Sequence, residues 1–195
     1  DRVLASLLKL AAIGTIADLV PMTSDENRAI VKLGLEELNR GPHHPGLAAL
    51  LKVSGVEVGS IKTSDLGFRI GPRINAAGRL ADASMIVHLL RCRERAAAMR
   101  MAQQLDALNT ERKRVQDQVT TEATAQIATP TPSFVLAAGH EENGWHRGVV
   151  GIVASRLKDD FYRPAAVVSI QGELSVGSMR SIDSIHAVDC LESVS

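Results

Sequence analysis

Apolar positions change their rhythm partway along this chain. Up to about residue 128 they recur three and four apart, the period of one helix face. Beyond Pro130 and Pro132 they gather into short runs, the pattern of buried strands. Leu4, Leu7, Leu8 and Ala11 predict a first helix ending near Gly14. Asp25, Glu26 and Asn27 open a second, which carries Ile30, Leu33, Leu35 and Leu38 and closes at Gly41-Pro42. Pro45-Gly46 starts a short third helix through Leu47, Leu50 and Leu51. Thr63 or Ser64 can cap a fourth, holding Leu66 and Phe68, and Met85, Ile86, Leu89 and Leu90 mark another. Residues 94–128 contain neither Gly nor Pro and carry a stripe of Ala98, Met101, Leu105, Leu108, Val115 and Val119, broken by Arg112. The prolines end it, because proline has no amide to donate. The stripe is too short and its flanking charges too weak for a coiled coil, so this reads as a helix connecting two domains.

In the second half, Phe134 to Ala138 predicts a buried strand and Val149 to Leu157 a helix with Gly148 at its start. Ala165 to Ile170 predicts a second strand, and Leu174 to Val176 begins a third. Strand, helix, strand in this order predicts a small α/β unit with a right-handed crossover. A helix begun near Ala187 follows, which leaves a sheet without its last elements, as expected of a piece of a larger protein. The expected fold class is α/β, with a helical part over 1–92, a connecting helix over 93–130 and a small α/β domain over 131–195.

Composition narrows the function classes. Only 3% of residues are aromatic, against 45% hydrophobic, so packing is aliphatic and stacking platforms of the single-strand-binding kind are disfavoured. Lys+Arg and Asp+Glu both number 22, so any attraction to phosphate must come from a local patch. No apolar run is long enough to span a membrane, and no positively charged signal segment opens the chain. Cys92 and Cys190 lie far apart without metal-binding spacing and read as reduced thiols of a cytoplasmic protein.

The richest chemistry lies at Gly71-Pro72-Arg73-Ile74-Asn75-Ala76-Ala77-Gly78-Arg79-Leu80. Small residues let a backbone approach a ligand, and each guanidinium presents a fork that matches phosphate oxygens. A tight turn aiming Arg73 and Arg79 outward is an anion grip; a helical corner with solvated arginines is the plainer alternative. Asp18 stands where the first helix gives way to a turn, and read alone it is a cap or turn residue. His43-His44 between prolines lacks the further ligands a metal cage needs. Trp145-His146-Arg147-Gly148 sets a His and an Arg at a predicted helix start, where free amides face anions, although Trp145 is equally a core anchor. Gly177-Ser178-Met179-Arg180-Ser181 is either a phosphate nest or a polar hairpin.

Together these segments resemble the RecJ family, single-strand-specific 5′→3′ DNA exonucleases of the DHH phosphoesterase superfamily. The likeness is carried by residues 12–21 (AIGTIADLVP), 65–80 (DLGFRIGPRINAAGRL), 105–109 (LDALN), 145–156 (WHRGVVGIVASR) and 177–181 (GSMRS), in the family's order. It implies the rear of a DHH domain, a long connecting helix and a partial DHHA1-type domain. It further implies a pair of Mn²⁺ or Mg²⁺ ions that activate water for phosphodiester hydrolysis. Asp18 would be one carboxylate of the metal cage, and Arg73, Asn75 and Arg79 would line the strand path. His146 would sit at the cleft, and Ser178 and Arg180 would grip the terminal 5′-phosphate. The implied partners are single-stranded DNA with a 5′ end and other proteins of DNA repair and recombination, with no membrane. The Asp-His-His motif is expected before Asp1, since Pro42 stands where His43-His44 would need its Asp, and a late Gly-His motif is expected beyond Ser195. Met179 replaces an expected Gly, so its side chain is expected to crowd a backbone contact to phosphate. A small-substrate DHH phosphodiesterase and a non-catalytic DNA-binding relative share the architecture.

Overall fold

In the computed structural model, which describes residues 2–193, the chain divides into two compact units, Asp1–Thr110 and Glu111–Ser195. The division falls inside the long helix rather than at either of its ends.

The first unit is helical. Helix α1 (Arg2–Ala17) packs along α2 (Asp25–Arg40), and Gly34 of α2 permits this, since a Cβ there would run into Ala12 and the Leu8 carbonyl. Ser24 caps α2, accepting from the Asn27 amide. Helix α3 (Pro45–Val53) begins at a proline, which loses nothing in a first turn that has no amide partner. Then come a single turn, α4 (Thr63–Asp65), a π-helical turn (Leu66–Ile70), α5 (Gly71–Leu80) and α6 (Ser84–Arg91). Leu38, Leu50, Leu66, Ile70, Leu89 and Leu105 centre the core, whereas Phe68 is 84% exposed.

Two local expectations change here. Helix α1 runs past Gly14 to Ala17, because Gly14 faces open space and nothing around it stops the helix. Residues 71–80 are a helix, not a tight turn. Pro72 lies in its first turn, and the small residues serve packing: a Cβ at Gly71 would lie 3.0 Å from the Leu66 carbonyl oxygen and 3.2 Å from the Ala17 Cβ.

Helix α7 (Arg95–Ala125) gives Ala98, Ala102 and Leu105 to the first core and Val115, Val119 and Ala123 to the second. The second unit continues with β1 (Val135–His140), a 3₁₀ turn (Glu141–Asn143), α8 (Arg147–Phe161), β2 (Ala165–Gln171), β3 (Leu174–Arg180) and α9 (Ala187–Glu192). The sheet order is β1-β2-β3, with β1 parallel to β2 across α8 and β3 antiparallel to β2. Alternate residues Val135, Ala137, Ala165 and Val167 are buried with Val149, Val153 and Leu157 of α8. Trp145 is 2% exposed and lies over Gly139, where any Cβ would overlap the indole, while its Nε1 donates to Glu122 Oε2 at 2.6 Å. The third strand runs to Arg180, so the Gly-Ser-Met-Arg segment lies within it rather than after it.

Candidate nucleic-acid interface

The exit from α1 builds the first half of the candidate site. The Asp18 amide still donates to the Gly14 carbonyl at 3.0 Å, and Leu19 then takes φ +53°, which ends the helix. Asp18 is exposed. With Asn75 it borders a hollow of about 310 Å³ whose floor is apolar, including Ile13, Ala17, Ile74 and Leu90.

The helical state of residues 71–80 decides where its arginines go. Asn75 and Arg79 are four apart, so they share one exposed face of α5. Arg73 lies on another face, and its side chain is only 17% exposed. Its Nε and Nη2 reach Asp106 Oδ1 of α7 at 2.8 and 2.7 Å, and its Nη1 donates to the Arg69 carbonyl at 2.6 Å. An outward-aimed arginine pair is therefore not what forms: a 3.6-residue period splits what a turn would have kept together. Arg69 pairs with Asp65 and donates to the Gly55 carbonyl, fixing the preceding loop. The Lys62 amide, donating to Asp65, holds that carboxyl below its ordinary range.

In the second unit His146 is the N-cap of α8. Its Nδ1 accepts from the Gly148 amide at 3.0 Å, which places the proton of the neutral ring on Nε2. Ser178 and Arg180 alternate onto the face of β3 that meets α8. A Cβ at Gly151 would lie 3.3 Å from Ser178 Oγ and 3.5 Å from Arg180 Nη2. Arg180 Nη1 donates to Ser178 Oγ at 3.1 Å and to the Met179 carbonyl at 2.9 Å, yet the residue stays exposed. Met179, opposite Ala166, points to the other face, so the crowding expected of its side chain does not arise on the Ser178–Arg180 face. The Ser181 hydroxyl is shielded and finds no partner among the described residues.

Thus Asp18 and Asn75 meet at one hollow, and Ser178 and Arg180 meet on one strand face. Asp106 and Gly151 were not singled out as site residues, although both lie inside motifs that carry the family likeness. Only packing across elements exposes their roles. For a metal, the fit is partial. Among the described residues no group of three His, Cys, Asp or Glu is placed to hold an ion, so Asp18 offers a single carboxylate. His43 has both ring nitrogens shielded and unpartnered; burial first, and the Lys9 ammonium second, push its pKa down.

Residues 131–195 match the DHHA1 domain family. The chain is 42% identical over 193 residues to the single-stranded-DNA-specific exonuclease RecJ of Dickeya dadantii, which covers 97% of this chain and 33% of that protein. Crystal structures of Thermus thermophilus RecJ superpose with a TM-score of 0.84. The Mg²⁺ complex is 34% identical over 97% of this chain and 29% of that one. The Mn²⁺ complex is 35% identical over 97% and 27%. The second unit thus carries a DHHA1 domain on a mixed α/β fold. Across nearly its whole length the chain is a homologue of the RecJ proteins, and it spans about a third of the length of the curated relatives it matches. Among the described residues no helix is long and apolar enough to cross a membrane.

Proposed function

We propose that this chain is the strand-holding part of a metal-dependent 5′→3′ exonuclease that hydrolyses single-stranded DNA. In this reading residues 1–92 are the rear of a DHH domain, 93–130 the connecting helix and 131–195 the DHHA1 domain. Asn75 and Arg79 contact the strand, His146 lies beside it, and Ser178 and Arg180 hold the terminal 5′-phosphate. The observation that carries the reading is the Arg180 guanidinium, held at 3.1 Å by Ser178 on the open face of β3 where Gly151 leaves room. Such a fork, exposed but pre-oriented, matches the oxygens of a phosphate monoester.

The Mg²⁺ and Mn²⁺ complexes of the Thermus protein support a divalent pair, to which Asp18 contributes one ligand and residues outside this chain the rest. When bound, such a pair activates water and stabilises the charge of in-line displacement. A cytoplasmic protein of DNA repair and recombination is the setting this implies.

The test uses the complete protein with Asp18→Ala, expected to stop cleavage while leaving strand binding in place. Adding Arg180→Ala should weaken a 5′-phosphorylated strand by about 1.5–3 kcal/mol and barely affect a 5′-hydroxyl strand, as expected for one lost charge-assisted pair. Equal losses on the two strands would make Arg180 an ordinary backbone contact. Undiminished hydrolysis by Asp18→Ala would remove Asp18 from the cage.

A further inference from the structure

We propose that Arg73 and Asp106 are positioning residues: their ion pair sets α5 so that Asn75 and Arg79 face the strand, and Arg73 itself touches no phosphate. The inference rests on the reading of α5 as a strand-facing helix and changes which of its arginines does the binding.

All three guanidinium nitrogens of Arg73 are engaged within the first unit. Nε and Nη2 converge on Asp106 Oδ1 at 2.8 and 2.7 Å, and Nη1 donates to the Arg69 carbonyl at 2.6 Å. A phosphate reaching Arg73 would have to displace a carboxylate from a side chain that is 17% exposed, and would meet the Asp106 charge as it did so. Arg79 and Asn75, one turn apart on the exposed face, carry no such obstacle. The contacts run in a chain. Asp106 on α7 holds Arg73 on α5, Arg73 holds the carbonyl of Arg69 in the π-helical turn, and Arg69 holds Asp65 and the Gly55 carbonyl. A single acid on α7 thus fixes the roll of α5 and the turn that leads into it. Roll matters because a small rotation of a helix swings its long side chains through ångströms. The LDALN segment, otherwise without a role at the site, acquires one.

Direct contact and positioning predict opposite signs. If Arg73 bound phosphate, Asp106→Asn would free its guanidinium, and single-strand binding would stay equal or tighten. If the pair positions α5, Asp106→Asn should weaken binding about five- to tenfold. Neither Asp106→Asn nor Arg73→Gln should then change the slope of log affinity against log salt, since no phosphate contact is lost.

The experiment measures single-strand affinity across a salt series in the complete protein carrying Asp18→Ala. Asp106→Asn is introduced alone and on top of Asn75→Ala/Arg79→Ala, and unfolding midpoints are recorded for each variant. Positioning through Asn75 and Arg79 predicts a loss that shrinks to less than twofold in the doubly substituted background, the non-additivity of coupled residues. A merely structural role predicts the same fold loss in both backgrounds, and that result overturns the proposal. So does a fall of about 0.7 in salt slope for Arg73→Gln, the signature of one single-strand phosphate contact. Should Asp106→Asn fail to fold, the cycle is run with Arg73→Lys, which keeps the charge and gives up the fork. If Asn75→Ala/Arg79→Ala by itself costs no affinity, the strand-facing reading of α5 is what fails, and the positioning proposal falls with it.

Discussion

Gly151 has no side chain to set between α8 and β3, and that absence lets Ser178 and Arg180 settle over the opening turns of the helix. Alanine there would put a methyl group 3.3 Å from Ser178 Oγ, a tight contact that a shift of tenths of an ångström relieves. Valine would demand more than the strand can give. In a helix interior alanine is also favoured over glycine by about 0.8–1 kcal/mol, so the fold has something to gain. Gly151→Ala is therefore expected to leave stability within about 1 kcal/mol of the parent and yet reduce the preference for a 5′-phosphorylated over a 5′-hydroxyl strand. Gly151→Val should reduce it further. Thermal midpoints and competition between the two strand ends check this; an equal effect on both ends would mean that position 151 serves folding alone. Asp18 and Arg180 stood out in the sequence because motifs flag them, not because an isolated acid or arginine announces a role. Arg73 and Arg79 read alike as letters. Only the helical phase of 71–80 sends one toward α7 and leaves the other on the surface.

Elements were more legible than their ends. The period switch near Pro130 marks where helices give way to a sheet, and the proline-free run before it is one continuous helix. Strand β3 was the least legible. Its apolar run stops at Val176, and Gly177, Ser178 and Arg180 are extended because β2 supplies a ladder up to Arg180. The edge of β1 was invisible for a similar reason. The Gln126 side-chain amide pairs with both backbone groups of Ala138 at 3.0 Å, standing in for a neighbouring strand. Trp145 was open between anchor and ligand contact, and Glu122 decides it, since a buried indole whose N–H reaches a carboxylate from α7 is an anchor. Glu122→Ala would strand that N–H away from water, which costs about 1–3 kcal/mol. Glu122→Gln keeps an acceptor and should cost less. Denaturant unfolding followed by the emission of this single tryptophan reads both. A Glu122→Ala variant as stable as the parent would mean that water replaces the carboxylate.

At the scale of the whole molecule, equal numbers of acidic and basic residues leave no net field, so strand binding depends on where a few charges sit and stability on how they are buried. His43 is the burial case. Its ring nitrogens are shielded without partners, Lys9 stands near, and Lys52 and Glu57 border the same hollow. Burial, reinforced by the Lys9 charge, depresses its folded pKa below the ordinary 6.5. Above that pH both folded and unfolded chains hold the ring neutral, and its contribution to stability is fully present. As pH falls through 6.5 the unfolded chain takes up the proton first. Stability then declines, by at most about 1.4 kcal/mol per pH unit, until the lowered folded value is reached. Asp65 acts in a separate window: its depressed carboxyl gives up stability only as pH falls below about 3.8. Between those limits His43→Leu, which removes the titration and keeps an apolar group in the hollow, should flatten the pH dependence of the helical circular-dichroism midpoint. Emission from Trp145, which reports the second unit, supplies the reference trace. A parent and a His43→Leu variant that lose stability in parallel over this range would place the acid-sensitive group elsewhere in the chain.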